Sequence, residues 1–333
     1  MRKLLNARET LVDDMVWGFV AAWPGLVARG RHPRLVRRAV AKDGAKPRLL
    51  IGNGSGHEPI AMGFVGEGML DGNVVGDVFA APSPDLILEG LRELDAPGGT
   101  LLLISRHEGD VINGMEAVMM AQEEGLSVAP FWMYDDVSSA APDRMEDRRG
   151  AAGTLFCYKI LGAAAEEGLP LPDLVSLGEE VRAASRTLGA ALGPGVSPLT
   201  GRPMFDLPEG EAFVGMGVHG EPGVARRPLT TARDLVGFMV GTLLADRAFR
   251  GREAAVIVNG AGGTTMMELL TVFGEAAAAL RAHGIEPVAP VIGPLSTTQE
   301  MAGVSISLLE VTPEMLRLWR APQATPLFPQ VRG

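Results

Sequence analysis

The chain has 333 residues, 47% hydrophobic and 21% charged, with a formal net charge of -10. That length exceeds one typical hydrophobic core, so two domains are expected, while the acidic balance offers no footprint for a phosphate backbone and argues against nucleic-acid binding. A lone cysteine, Cys157, excludes an intrachain disulfide framework and a cysteine metal cluster, and no window reaches the ~18 apolar residues of a membrane span, so a soluble cytoplasmic protein with no membrane partner is expected.

The first segment carries Arg29, Arg31, Arg34, Arg37 and Arg38, with Glu9, Asp13 and Asp14 close by; this reads as a solvated face. Short runs rich in Val, Ile and Leu at 48–51, 101–105, 128–133, 213–218, 254–258, 288–292 and 305–309 predict strands. Helical spacing predicts helices at 111–124, 154–167, 174–192, 232–245 and 266–283, with Gly125, Gly168 and Gly284 as stops. Such alternation is the signature of an α/β protein. The densest turn-forming stretch, 193–203, is the expected domain boundary, dividing the chain into 1–193 and 194–333. The proline-containing segment 319–333 is expected to pack on the surface as an extended tail.

Two of the five histidines sit in related runs, Gly56-His57-Glu58-Pro59 and His219-Gly220-Glu221-Pro222. Each places an imidazole on a glycine turn after an apolar stretch, where it can serve a ligand or merely hydrogen-bond within the turn. Residues 51–57, Ile-Gly-Asn-Gly-Ser-Gly-His, have the form of a strand entering a loop of backbone donors suited to sugars or phosphates. The Lys-Ser/Thr of a nucleotide P-loop is missing. The second glycine run, Asn259-Gly260-Ala261-Gly262-Gly263-Thr264, fits ligand contact or tight packing equally. Asp110, after Ser105-Arg106-His107-Glu108-Gly109, is a general-base candidate or the cap of a helix beginning at Val111. Asp135-Asp136 offers a Mg²⁺ pair or a capping turn, the commoner use. Cys157 lies in an apolar helical pattern without a histidine partner, which favours burial over nucleophilic duty. No histidine spacing fits zinc, and Gly54-Ser55-Gly56 is no nucleophile elbow.

Taken together, the motifs resemble the K subunit of dihydroxyacetone kinase over essentially the whole chain. The resemblance rests on Gly54-Ser55-Gly56-His57-Glu58-Pro59 and Gly63-Phe64-Val65-Gly66-Glu67-Gly68, on Asp77-Val78-Phe79 and Gly109-Asp110, on Asp135-Asp136-Val137, Arg148-Arg149-Gly150 and Gly162-Ala163-Ala164-Ala165-Glu166, and on Gly217-Val218-His219-Gly220-Glu221-Pro222 and the segment 300–309. It implies a homodimer whose protomers have two α/β domains with mixed sheets flanked by helices. It further implies that His219 adds to the carbonyl carbon of a short-chain ketose as a hemiaminal, that Asp110 takes the proton of the hydroxyl being phosphorylated, that His57 hydrogen-bonds the substrate, and that Gly54, Ser55 and Gly56 surround it. Imidazole adds to a carbonyl but not to an alcohol, so ketoses are held and polyols rejected. The resemblance places no cofactor in this chain: ATP or ADP with Mg²⁺ would sit on a separate L subunit, fed directly by ATP or by a phosphotransferase-system donor. A non-catalytic paralogue that senses a ketose and acts as coactivator of a transcription regulator is the alternative.

Two departures bear on the pocket. The family's Lys-Asn-Tyr-Thr-Gly-Asp is Ser105-Arg106-His107-Glu108-Gly109-Asp110 here, and its Thr-Ser pair is Ala80-Ala81. Ser105 and Ala81 thus replace a lysine and a serine that contact substrate, removing a charge, a hydroxyl and volume, while Arg106 and His107 are expected to bring new donors. A ketose larger than dihydroxyacetone, such as the tetrulose erythrulose, is the expected consequence.

Overall fold

The computed structural model describes residues 3–217 and 223–331. Six strands form a first sheet, β1 (Val27–Arg29), β2 (Leu35–Arg38), β3 (Arg48–Ser55), β4 (Gly72–Val78), β5 (Thr100–Ser105) and β6 (Val128–Met133), in the order β1-β2-β4-β3-β5-β6. Strands β4, β3, β5 and β6 run parallel, and the β1–β2 hairpin adds antiparallel strands at the edge opposite β6. A second mixed sheet has β7 (Ser185–Gly193), β8 (Glu211–Val214), β9 (Ala225–Pro228), β10 (Glu253–Gly260), β11 (Glu286–Gly293) and β12 (Ala302–Glu310), in the order β11-β10-β12-β7-β8-β9. The helices are α1 (Leu11–Ala22), α2 (Pro84–Leu94), α3 (Glu108–Glu123), α4 (Thr154–Glu166), α5 (Leu171–Ala184), α6 (Ala232–Asp246), α7 (Met266–Ala282) and α8 (Pro313–Arg320). Among the described residues no helix is long and apolar enough to cross a membrane.

Alternation along the strands sorts these elements into five layers. On β3 Leu50 faces outward with Ile87 and Leu91 of α2 and Val118 of α3, while Leu49 and Ile51 face inward. The inward residues share one core with α1, α4 and α8 and with Ile257 and Val291 of the second sheet, whose other face is covered by α6 and α7. Helix α4 is buried all round, as its central place demands: every residue from Thr154 to Ala165 is buried, including Lys159, whose Nζ donates to the Leu318 carbonyl at 3.0 Å. Cys157 belongs to this core, and burial pushes its thiol up to about 12, which excludes a reactive thiolate.

Gly162 on α4 lets the chain at Met69 lie directly on the helix. A methyl group there would stand 2.4 Å from the Met69 Cα and 2.6 Å from its carbonyl oxygen. Alanine gains about 1 kcal/mol of helix propensity over glycine, but backbone cannot yield as a side chain would. Gly162→Ala is expected to cost roughly 1–3 kcal/mol net, read from the midpoint of denaturant unfolding.

Three expectations are revised by the fold. The helix expected over 174–192 divides into α5, which ends at Ala184, and the strand β7. Its alanines and leucines suit either state, and tertiary pairing decides: β7 bonds β12 along most of its length and β8 at its far end, and the Thr187 and Ser307 hydroxyls hydrogen-bond at 2.7 Å. The turn-rich stretch after Gly193 joins β7 to β8, two neighbours in one sheet, whereas the chain changes sheets between β6 and β7 through α4 and α5. The C-terminal segment is extended, yet it buries Phe328 against Phe64 and Trp319 instead of merely lying on the surface.

Candidate active site

At the end of β3 the apolar run gives way to a glycine turn whose shape is enforced from two sides. Beneath it, the buried Asn73 donates to the Ile51 carbonyl at 3.1 Å and to Asn53 Oδ1 at 2.6 Å. A Cβ on Gly54 would fall 2.8 Å from the Ala80 nitrogen, so only glycine lets the ends of β3 and β4 approach this closely. Gly56 has φ +100°, and a Cβ there would strike the Phe79 ring at 2.6 Å. The Gly56 N–H donates to both carboxylate oxygens of Glu58, at 2.9 and 3.1 Å, while burial still holds that carboxyl above its ordinary value.

The clamp on this turn comes from the other sheet. The chain leaving β11 brings the Thr297 N–H to the His57 carbonyl at 3.1 Å, the Thr297 hydroxyl to the Glu58 carbonyl at 2.8 Å, and the Thr297 carbonyl to within 2.7 Å of His57 Nδ1. Nδ1 therefore carries the proton it donates to that carbonyl, which fixes the tautomer with its basic nitrogen at Nε2. The segment is shaped by Asn259, whose Oδ1 accepts the Leu295 and Ser296 N–H groups at 2.9 and 2.8 Å. The glycine run after Asn259 is a packing device on the described geometry: a Cβ on Gly262 would overlap the Gln299 carbonyl oxygen at 1.8 Å, and Thr264 exchanges hydrogen bonds with the Gly303 backbone.

Facing the turn, β5 ends at Ser105 and α3 begins at Glu108, with His107 as N-cap. Asp110 is consequently in the first helical turn and is not the cap, and its carboxylate sits where a helix N-terminus favours negative charge. His107 Nε2 lies 3.1 Å from the Gly150 carbonyl, and Gly150 is a glycine because a Cβ would meet Ser105 Oγ at 2.3 Å. Asp135 braces this loop, accepting from the Ala151 N–H at 2.6 Å and the Gly153 N–H at 2.8 Å. Burial pushes the Asp135 carboxyl up to about 6 against the opposing pull of the Thr187 hydroxyl and those two N–H groups. Asp136 pairs with Arg149 at 2.8 Å. The two aspartates thus serve as loop braces, and among the described residues no cluster of three or more His, Cys, Asp or Glu could hold a metal.

Between these walls lies a cavity of about 520 Å³, within the usual range for small-molecule sites. It brings together His57, Asp110, Gly54, Ala81 and Ser105. Ser55 and Gly56 are not among its lining residues; the Ser55 hydroxyl is buried without a hydrogen-bond partner. Arg106 turns away to Asp147 at 3.6 Å, so of the two new donors expected from this loop only His107 reaches the cavity. Sequence reasoning missed Tyr158 and Thr154, which line the floor from α4, and Ser296 from the second sheet. The signal for Tyr158 was one hydroxyl-bearing aromatic in a largely apolar helix. Its phenol is held well above the usual range, chiefly by burial and also by the charge of Asp110. None of the described lining residues is lysine or arginine, whereas Glu108 and Asp110 are acidic. Such a cavity suits a neutral, hydroxyl-rich ligand better than an anion.

His219 lies outside the described residues. Gly217, two positions before it, lines a smaller cavity of about 60 Å³ that shares His107, Gly150, Ala151 and Ser296 with the larger one.

Residues 17–327 match the model of the Dak1 domain. The chain belongs to the Dak1 family. Among Dak1 relatives, it is 36% identical over 315 residues to a PTS-dependent dihydroxyacetone kinase, dihydroxyacetone-binding subunit DhaK, of Listeria innocua, covering 94% of this chain and 95% of that protein. A D-erythrulose kinase of Mycolicibacterium smegmatis is 39% identical over 329 residues, covering 98% of this chain but 56% of the kinase. Among solved structures, the dihydroxyacetone kinase operon co-activator Dha-DhaQ superposes with a TM-score of 0.88 at 29% identity, covering 94% of this chain and 97% of that one. The Dak1 chain is thus similar both to kinase components and to a coactivator, and it spans little more than half of the erythrulose kinase.

Proposed function

We propose that the protein is the substrate-binding component of a ketose kinase. The observation that carries this reading is the cavity in which Asp110 and His57 meet a lining free of lysine and arginine among its described residues. In this reading His219 adds through an imidazole nitrogen to the ketone carbon, the C=O π bond opens onto oxygen, which takes up a proton as the ring gives up its N–H proton, and the ligand is anchored as a neutral hemiaminal. Asp110 then accepts the proton of the terminal hydroxyl as that oxygen attacks the donor phosphoryl group. His57, oriented by the Thr297 carbonyl, holds the substrate through its other nitrogen. The nucleotide and Mg²⁺ come from a separate L subunit, served by ATP or by a phosphotransferase donor, and the working form is a homodimer. The length of the erythrulose kinase beyond the matched region is consistent with this division of labour.

The ketose is a tetrulose in preference to dihydroxyacetone. Ala81 and Ser105 both line the cavity and offer less volume than the serine and lysine of the family pattern, and the D-erythrulose kinase is among the relatives. Restoring the larger side chains in the double variant Ala81→Ser/Ser105→Lys is expected to move the kcat/KM ratio from erythrulose toward dihydroxyacetone by about tenfold or more. Three- to five-carbon ketoses assayed with the cognate L subunit give the measurement. A wild-type protein that turns over dihydroxyacetone at least as well as the tetruloses would overturn the assignment.

The likeness to Dha-DhaQ favours a second reading, a ketose-sensing coactivator without kinase activity. A pull-down separates the two: a kinase component retains an L subunit, a coactivator a transcription regulator.

A further inference from the structure

Of the basic residues near the N-terminus, Arg29 and Arg31 are exposed, as a solvated face would have them, while Arg37 and Arg38 are half-buried. Arg29, Arg31, Arg37, Arg38, Lys42 and Arg48 line a concave pocket of about 580 Å³ formed by the β1–β2 hairpin, the following loop, the first residue of β3 and the end of α2. Only Asp71, Glu93 and Asp95 oppose these six cations within the lining. In a chain of net charge -10, such a concentration needs a reason.

Two of these three carboxylates are already committed. Asp71 accepts from Lys42 at 2.8 Å, from Arg38 at 3.2 Å and from the Leu49 N–H at 2.9 Å. Arg38 is further held by Glu166. Glu93 accepts from Arg37 Nε at 3.0 Å and from the Arg31 N–H at 2.7 Å. Among the described residues no carboxylate pairs with Arg29, Arg31 or Arg48. Arg48 is the decisive one: it is 8% exposed, and its Nη1 is buried without a hydrogen-bond partner. A buried guanidinium donor is costly to leave unsatisfied, and the fork of N–H groups on arginine matches the oxygens of a phosphate.

We propose that this pocket binds the phosphate group of a small metabolite, with Arg48 at its base and Arg29 and Arg31 at its rim. The site is separate from the ketose cavity. Arg48 begins β3 and Gly54 stands near its other end, about 20 Å away at the rise of an extended strand. The two pockets are also opposite in character, one with no cation among its described lining and the other with six.

Calorimetric titration of the full chain tests this with inorganic phosphate, a phosphate monoester (glycerol 3-phosphate) and a diphosphate (ADP), each against sodium chloride at matched ionic strength. The expected result is saturable binding weakened about tenfold or more by Arg48→Met and by Arg29→Gln/Arg31→Gln, but unchanged by Asp110→Asn in the ketose cavity and by Arg252→Gln on the distant surface. Whichever of the three ligands binds tightest identifies the free ion or the esterified group as the source. The rim variant alters only exposed side chains, so the test stands even if Arg48→Met fails to fold. Absence of binding by all three ligands, or binding unaltered by the rim variant, would overturn the proposal. Either outcome leaves the ketose assignment untouched.

Discussion

Asp110→Asn is expected to lower phosphoryl transfer to a ketose by about 10²- to 10⁴-fold, the usual worth of a positioned general base, while leaving ketose capture intact. The amide keeps the shape of the carboxylate and its place in the first turn of α3, but it cannot accept the proton of the attacking hydroxyl. His219→Ala is expected to behave in the complementary way, abolishing the covalent adduct seen by mass spectrometry after incubation with erythrulose. The pair is informative because the roles are separate: adduct without turnover in one variant, neither in the other. An Asp110→Asn protein that phosphorylates at the wild-type rate would remove Asp110 from the mechanism, and a His219→Ala protein that still forms the adduct would move the covalent anchor elsewhere.

The largest structural effect is expected at Arg148. Its guanidinium is 1% exposed, makes a two-pronged ion pair with Asp246 at the end of α6, and donates from Nε to the Ala140 carbonyl at 3.0 Å. It thereby ties the loop that follows β6, and with it Gly150 at the cavity wall, to a helix on the far face of the second sheet. Arg148→Met leaves Asp246 without its partner in a nearly dry setting, so a loss of about 3–5 kcal/mol is expected from denaturant unfolding. Arg148→Met/Asp246→Leu is expected to recover much of that loss, because removing both charges removes the uncompensated one. A double variant no more stable than the single one would show that the Ala140 contact, and not the charge pair, carries the energy.

Parts of this architecture were legible from the residues because burial on both faces leaves a plain mark. The strands β3 and β5 are short apolar runs, since each is buried on both faces, and the buried helix α4 is apolar over most of its length despite Lys159. Strand β7 was hidden because alanine, leucine and glycine carry no decisive preference, and its state is set by partners on β8 and β12 far along the chain. The β1–β2 hairpin was hidden because its arginines face a pocket instead of alternating with apolar residues. The same contrast divides the site. Gly54, His57, Ala81, Ser105 and Asp110 stand in recognisable runs and converge on one cavity. Tyr158, Thr154 and Ser296 join it only because the two sheets close around α4, a relation no local pattern encodes. For the Asp110 helix, position outweighed composition: the chain starts the turn at Glu108, placing the carboxylate inside the helix and not at its threshold.

The clamp from Thr297 onto the His57 turn means that the cavity has no owner among the two sheets. One supplies the imidazole and the other dictates which of its nitrogens faces the ligand. Sliding one sheet against the other by the length of a hydrogen bond would loosen the ring and release its tautomer together, so the protonation pattern of the pocket is written into the alignment of the layers. Evolution can enlarge or shrink this cavity through Ala81 and Ser105, which hang from the first sheet alone, without disturbing that alignment. Cavity size is therefore set by residues of one sheet, and proton placement by the contact between the two.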